Sequence, residues 1–352
     1  METLLHLYKN LDSKIWDYYD GFDAGNIAQN PFIKNPNSAV DHQQFIKDYF
    51  RLAGKKEVLQ QFNTYDVLDD ERAYHTNSVF LLGLLIRENT ILKTKLFNEK
   101  RSKIGYPIFP FLWFLSVLFH DFGMKMEEDL ANHPDLGTID GLLHHYDIKH
   151  SLLVSMPKGI NANLFGQIER YYSYRNAQGK IDHGILGGIY LYDRLVKIRR
   201  YKSLHRDTEL NWHHSLEKKY ALAAAAVACH NIWTKDPDKS NTSDYEGAGL
   251  HYLIRPNFGE ISLENFPLLF LFGIVDTIDP IKLYMKQGKG GHLPETILDN
   301  IEISFGKRWV KFSNRAGSPL DFQHFIIQVK GLEGWIALET IEDKDRLKII
   351  FR

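Results

Sequence analysis

A chain of 352 residues with 44% hydrophobic and 25% charged residues has the composition of a soluble globular protein, long enough for a large core and a second, smaller unit. The formal net charge of −1 supplies no global field for nucleic acid or an anionic membrane, and leaves only a local patch for such a partner. The single cysteine, Cys229, excludes an internal disulfide and fits a reducing compartment. The opening METLLHLYKNLDSKIWDYYDGFD lacks the basic, apolar, small-residue succession of a signal peptide. The longest apolar runs carry Pro, His, Asp or Gly and fall short of a membrane span, so a cytoplasmic location is expected.

Residues 1–65 read as an N-terminal helical extension, whose amphipathic stretches flank a polar, Pro-containing loop, NPFIKNPNSAV. Residues 66–287 read as a helical core. It begins with a helix through HTNSVFLLGLLIREN, which carries His75. FPFLWFLSVLF is apolar all round and should be a central helix, closed by His120-Asp121 and a break at Phe122-Gly123. DHGILGGIYLYDRLVKIRR opens with Asp182, a good N-cap, and ends basic, as a helix dipole favours. Its Gly184, Gly187 and Gly188 let a neighbouring backbone come close, and the Ala-rich ALAAAAVACHNIW suits the same tight packing. Asp276 and Asp279 lie three apart, expected on one face of a helix through FPLLFLFGIVDTIDP. Gly288, Gly290, Gly291 and Pro294 mark a linker into residues 288–352, a small α/β unit with strands IEISF, RWVKFS and LKIIF around a helical PLDFQHFIIQVKGL. The expected fold class is mainly α, a helical bundle with a small C-terminal α/β appendage.

Against this background six residues stand out: His75, His120, Asp121, His183, His230 and Asp276. Most of them sit in or beside strongly apolar helical runs, where a carboxylate costs several kcal/mol unless something compensates it. A metal ion does so, and His with Asp suits borderline divalent cations. One of Asp276 and Asp279 would ligate while the other orients a histidine from behind.

The order His75…His120-Asp121…Asp276 resembles the signature of the HD-domain metal-dependent phosphohydrolase superfamily. His183, in HGILGG, and His230, in ACHN, are similar to the additional histidines of its two-metal members. The resemblance spans roughly residues 70–285. It implies an α-helical bundle around one or two divalent ions per chain, drawn from Fe, Mn, Zn, Co, Ni and Mg. It also implies hydrolysis of a phosphomonoester or phosphodiester, typically of a nucleotide. Position by position, it assigns one ion to His75, His120, Asp121 and Asp276. A second falls to His183 and His230, with Asp121 as the bridging, catalytic carboxylate and Asp279 behind the ligands. Lys125 would bind a phosphate oxygen, although it stands one residue beyond the usual HD-x-G-K position. His251 and Arg255, in DYEGAGLHYLIRPNFGE, are further candidates for substrate contact.

Asn231 stands where the cyclic-di-GMP phosphodiesterase branch has a second histidine, and Gly105-Tyr106-Pro107 precedes the HD pair rather than following it, so a third metal is not expected. His144, His145 and His150 are the strongest rivals for the second ion, with a polar helix face as the alternative. His213, His214 and Glu217 form a looser triad. Arg194, Lys197, Arg199, Arg200 and Lys202 read as a basic helix end, with phosphate or RNA binding as the alternative, and Tyr171, Tyr172 and Tyr174 as packing or a base-stacking rim. Two other readings remain for the same scaffold, a non-catalytic nucleotide-binding signalling protein and a di-iron oxygenase. A nuclease for single strands is disfavoured by the neutral charge. A homo-oligomer is compatible with all of these.

Overall fold

The computed structural model describes residues 1–16, 27–61, 70–96, 108–155, 162–204, 212–234, 242–285 and 291–352. The fold is mainly helical with a small antiparallel sheet formed largely by the C-terminal segment. Among the described residues no helix is long and apolar enough to cross a membrane. The chain divides into two compact units. One comprises Met1–Gln60, Leu68–Trp113 and Gly273–Arg352; the other comprises Gln61–Val67 and Phe114–Phe272. The division falls inside two helices, Phe109–Phe119 and Pro267–Ile278. The expected boundaries at 65/66 and 287/288, with Gly105-Tyr106-Pro107, Gly288 and Gly290, lie outside the described residues.

In the first unit the sheet has five strands, β1 (Glu2–Thr3), β2 (Ile301–Gly306), β3 (Trp309–Asn314), β4 (Leu338–Asp343) and β5 (Arg346–Phe351). Their order is β1-β2-β3-β5-β4, antiparallel throughout. Alternation decides its faces. Ile301, Ile303, Val310, Phe312, Leu347, Ile349 and Phe351 are buried, and the Phe322–Lys330 helix packs there, with Phe325 5.3 Å from Phe312. Trp309, Lys311 and Lys348 alternate with them on the opposite face. Two strands escape the sequence pattern. β1 is two residues long, and β4, LETIED, is an acidic edge strand. The segment expected as a loop, NPFIKNPNSAV, holds a turn of helix at Pro31–Lys34: Pro31 takes the first helical position and the Asn30 side chain caps it at 3.0 Å.

The Asp70–Asn89 helix of this unit is held by two close approaches. Trp113 Nε1 donates to Phe80 O at 3.0 Å, and a Cβ on Gly83 would meet the Trp113 ring at 2.3 Å, so only glycine leaves room for the indole. His42, from the Ala39–Leu52 helix, is fully buried between Phe32 and Tyr74, each ring 4.7 Å away. Its Nε2 donates to Pro36 O at 3.2 Å, and Nδ1 accepts from Asn77 Nδ2 at 3.1 Å. Burial lowers its pKa to about 4, with the Pro36 bond only partly opposing. The unfolded chain, with a histidine near 6.5, therefore takes up a proton that the fold refuses. Stability contributed by neutral His42 is complete above about 6.5 and is lost as pH falls toward 4, by roughly 3 kcal/mol for this shift. Urea melts between pH 7 and pH 4 should show that loss, and His42→Phe should flatten it.

In the second unit the His183–Leu204 and Leu216–Cys229 helices pack closely along their small residues. A Cβ on Gly188 would meet Ala224 O at 2.5 Å, and one on Gly187 would meet Phe119 O at 2.8 Å. Asp182 starts the first of these helices, accepting from Ile185 N at 2.7 Å. Basic residues near its end are neutralised: Arg194 and Lys197 pair with Asp193, and Arg199 and Arg200 with Glu217. One correction concerns Asp276 and Asp279 of the first unit, expected on one helix. The Pro267–Ile278 helix stops before Asp279, which instead caps Pro280–Tyr284, because Pro280 removes a donor and restricts the residue before it.

Candidate metal centre

Four of the six candidates belong to the second unit. The Phe109–Phe119 helix ends just before His120, and Gly123 turns the chain at φ +80°, against Leu186. His120 Nδ1 lies 2.6 Å from Val117 O, three residues back. His230 repeats the device at the end of Leu216–Cys229, with Nδ1 2.7 Å from Val227 O. A carbonyl only accepts, so both Nδ1 atoms carry hydrogen and both Nε2 atoms carry the lone pair when neutral. His183 opens its helix with Nδ1 2.8 Å from Glu127 Oε2. Glu127 is held in turn by Arg175 Nη2 at 2.6 Å and, through its carbonyl, by Ile181 N at 2.7 Å. Gly184 is what lets the His230 ring settle beside this turn, since a Cβ there would lie 2.9 Å from that ring.

The Nε2 atoms then face one another. His183 Nε2 is 3.3 Å from His230 Nε2, His120 Nε2 is 3.3 Å from Asp121 Oδ1, and His183 Nε2 is 3.9 Å from the same oxygen. Ligand atoms of Asp121, His183 and His230 all lie within 4.8 Å of one another. Two imidazole nitrogens on one ion at about 2.0–2.1 Å stand roughly 3.0–3.4 Å apart, so the observed spacing is that of a ligand pair. Two facing lone pairs need a cation between them or a proton on one. Burial alone would push His183 down, but the Glu127 hydrogen bond and the carboxylates of Asp182, Glu127 and Asp121 raise it above an ordinary histidine. The same contact, against the burial that opposes it, keeps Glu127 below its ordinary value and hence ionised. The donor set therefore fits a divalent metal ion.

The remaining two candidates belong to the first unit. His75 Nδ1 is 2.8 Å from Asp279 Oδ2, and its Nε2 is 3.2 Å from Asp276 Oδ1. Asp279 is fully buried and also accepts from Ser78 Oγ at 2.5 Å and from Lys282 N at 3.1 Å. Asp276 Oδ2 accepts from Lys282 Nζ at 2.6 Å. Burial opposes the charge on His75, but its two carboxylates outweigh it and raise the pKa to about 9. Each of the four histidines thus has Nδ1 fixed by a carbonyl or a carboxylate and presents Nε2, the arrangement that outer hydrogen bonds impose on metal-ligating histidines.

Lys125 is exposed on the turn after Asp121; His251 is exposed at the start of a short 3-10 turn, and Arg255 is half-buried beyond it. The rival clusters take other partners. His145 pairs with Asp135, His213 bonds Ser215, and Glu217 is taken by its two arginines. Tyr171 and Tyr174 pack on Tyr245, and Tyr172 donates to Leu136 O at 2.6 Å.

Glu127, Ser78 and Lys282 are the participants that sequence reading misses. Ser78 was detectable, one turn from His75 on a helix; Glu127 acts across a loop and leaves no periodic trace. Glu127→Ala is expected to weaken divalent-ion binding about 10–100-fold, as loss of an outer partner of a ligating histidine does, with Glu127→Gln retaining more. Isothermal titration with Mn²⁺ or Zn²⁺ measures it. Comparison of the chain with protein-family models, curated proteins and solved structures finds no match.

Proposed function

We propose that this protein is a metal-dependent phosphohydrolase of the HD-domain type, acting on a nucleotide or related phosphoester. The observation that carries the reading is the set of four histidines with Nδ1 engaged and Nε2 presented beside Asp121 or Asp276. A fold has little other reason to orient so many imidazoles alike beside carboxylates. The family pattern gives His75, His120, Asp121 and Asp276 to one ion, and His183 and His230 to another, with Asp121 shared. Bound divalent ions would supply Lewis-acid polarisation of the phosphoryl group and a nucleophilic water at neutral pH.

The chain's own groups do the rest. Asp121 contributes the charge that holds the centre together, and Val117 O, Val227 O, Glu127 and Asp279 keep the imidazoles in register. Glu127 and Asp279, as acceptors for Nδ1–H, also strengthen Nε2 as a donor to the ion. Lys125 would hold a phosphate oxygen, with His251 and Arg255 as candidates for the rest of the substrate.

The test is metal analysis of the purified protein together with phosphate release over a panel of nucleotides and cyclic dinucleotides. Release that needs a divalent ion and stops with chelator is the expected result. Oxygen consumption with an organic substrate and no phosphate release would replace this reading by the di-iron oxygenase.

A further inference from the structure

The open face of the C-terminal sheet carries a second, independent feature. Trp309, Lys311, Arg346 and Lys348 line a groove of about 360 Å³ with Ile341, Glu342 and Asp343. Lys311 and Lys348 are directly opposed in the β3–β5 ladder, a like-charge pairing that costs stability. Among the described residues neither lysine has a carboxylate partner; Lys348 instead lies over the Trp309 ring, 4.7 Å from its centroid. Of the acids, Glu342 is taken by Lys330 at 2.6 Å from outside the groove. The indole is half-buried because it lies on Gly306 across the β2–β3 pair, where a Cβ would meet it at 2.3 Å. This face therefore keeps two opposed lysines without a carboxylate partner beside an aromatic ring, with Arg346 next to them and facing Asp343 across the β4–β5 pair.

We propose that this face binds single-stranded nucleic acid. A base would stack on Trp309 in place of Lys348, whose ammonium, with Lys311 and Arg346, would meet the backbone phosphates. An open sheet face can cover only one side of a ligand, whereas pockets for free small molecules enclose most of theirs. A strand tolerates this because weak contacts repeat along it. An acidic peptide is disfavoured because its carboxylate side chains offer no flat ring to stack on the Trp309 indole, as a base does. The neutral net charge removes a global field but not this local one.

The experiment is fluorescence anisotropy of a labelled ten-nucleotide poly-U or poly-dT strand with the whole protein at low salt, with ATP and polyglutamate as competitors. Micromolar binding that weakens steeply with salt is expected. Trp309→Leu and Lys348→Glu should each weaken it at least about tenfold. Lys348→Glu also creates an ion pair with Lys311, so its melting temperature should rise by about 1–2 °C while affinity falls, an opposition that misfolding cannot imitate. Lys348→Gln checks the same site without new charge. No binding, or binding unchanged in these variants, overturns the proposal. ATP or polyglutamate competing as well as the unlabelled strand overturns it too, in favour of a free nucleotide or an acidic peptide.

Discussion

Replacing Asp121 by alanine is expected to reduce phosphate release by at least about 10³-fold, on the order of what loss of a central electrostatic group costs. Asp121 Oδ1 stands 3.3 Å from His120 Nε2 and 3.9 Å from His183 Nε2, so a single carboxylate oxygen faces two of the presented nitrogens. On the proposed reading, its loss would remove both the charge that offsets a bound cation and part of the geometry that holds it. The fold should survive, since the side chain is only partly buried, at 19% exposure. Circular dichroism and steady-state phosphate release together make the measurement. A folded variant with near-normal release would mean that this is not a metal-dependent HD hydrolase.

Asp279→Ala should give the largest loss of stability. Three groups converge on this fully buried carboxylate: His75 Nδ1, Ser78 Oγ and Lys282 N. Alanine strips a buried, charged histidine of one partner and uncaps the Pro280–Tyr284 helix, a combination worth about 3–5 kcal/mol. The sign of the pH dependence follows from His75, whose pKa is raised to about 9. In metal-free protein the pair's contribution is complete below about 6.5 and is lost as pH rises through about 9. Denaturant melts of Asp279→Asn, which keeps a cap acceptor but not the charge, should show a smaller alkaline loss, the remainder coming from Asp276. Activity should fall only about 10–100-fold, as for a group that orients a ligand. If Asp279 proves indispensable to hydrolysis and Asp276 dispensable, the ligand in this segment is Asp279.

Much of this arrangement is visible in the chain because the decisive segments are strongly patterned. The apolar FPFLWFLSVLF, the glycine-punctuated HGILGGIYLY and the Ala-rich ALAAAAVAC read directly as helices that pack closely, and each appears as one. IEISF, RWVKFS and LKIIF read as strands because their alternation matches a sheet with one covered face. What escaped depends on partners distant in sequence. β4 is acidic and exposed because it is an edge, and β1 exists only through pairing with β2 some 300 residues away. The Glu127–His183 contact crosses from a turn to a helix start, and Glu217, read as one arm of a histidine triad, belongs to two arginines of a neighbouring helix. The break between Asp276 and Asp279 was legible, since Pro280 follows at once, but their three-residue spacing suggested a common helix instead.

The most direct test of the metal centre is anomalous X-ray scattering from crystals of the protein grown with Mn²⁺ or Zn²⁺. The predicted result is a peak about 2.0–2.4 Å from Nε2 of His183 and His230 and from the Asp121 carboxylate. Unsoaked crystals of protein purified without chelator should show the same peak. Absence of any anomalous peak within bonding distance of these three residues, at full metal occupancy of the medium, would contradict it.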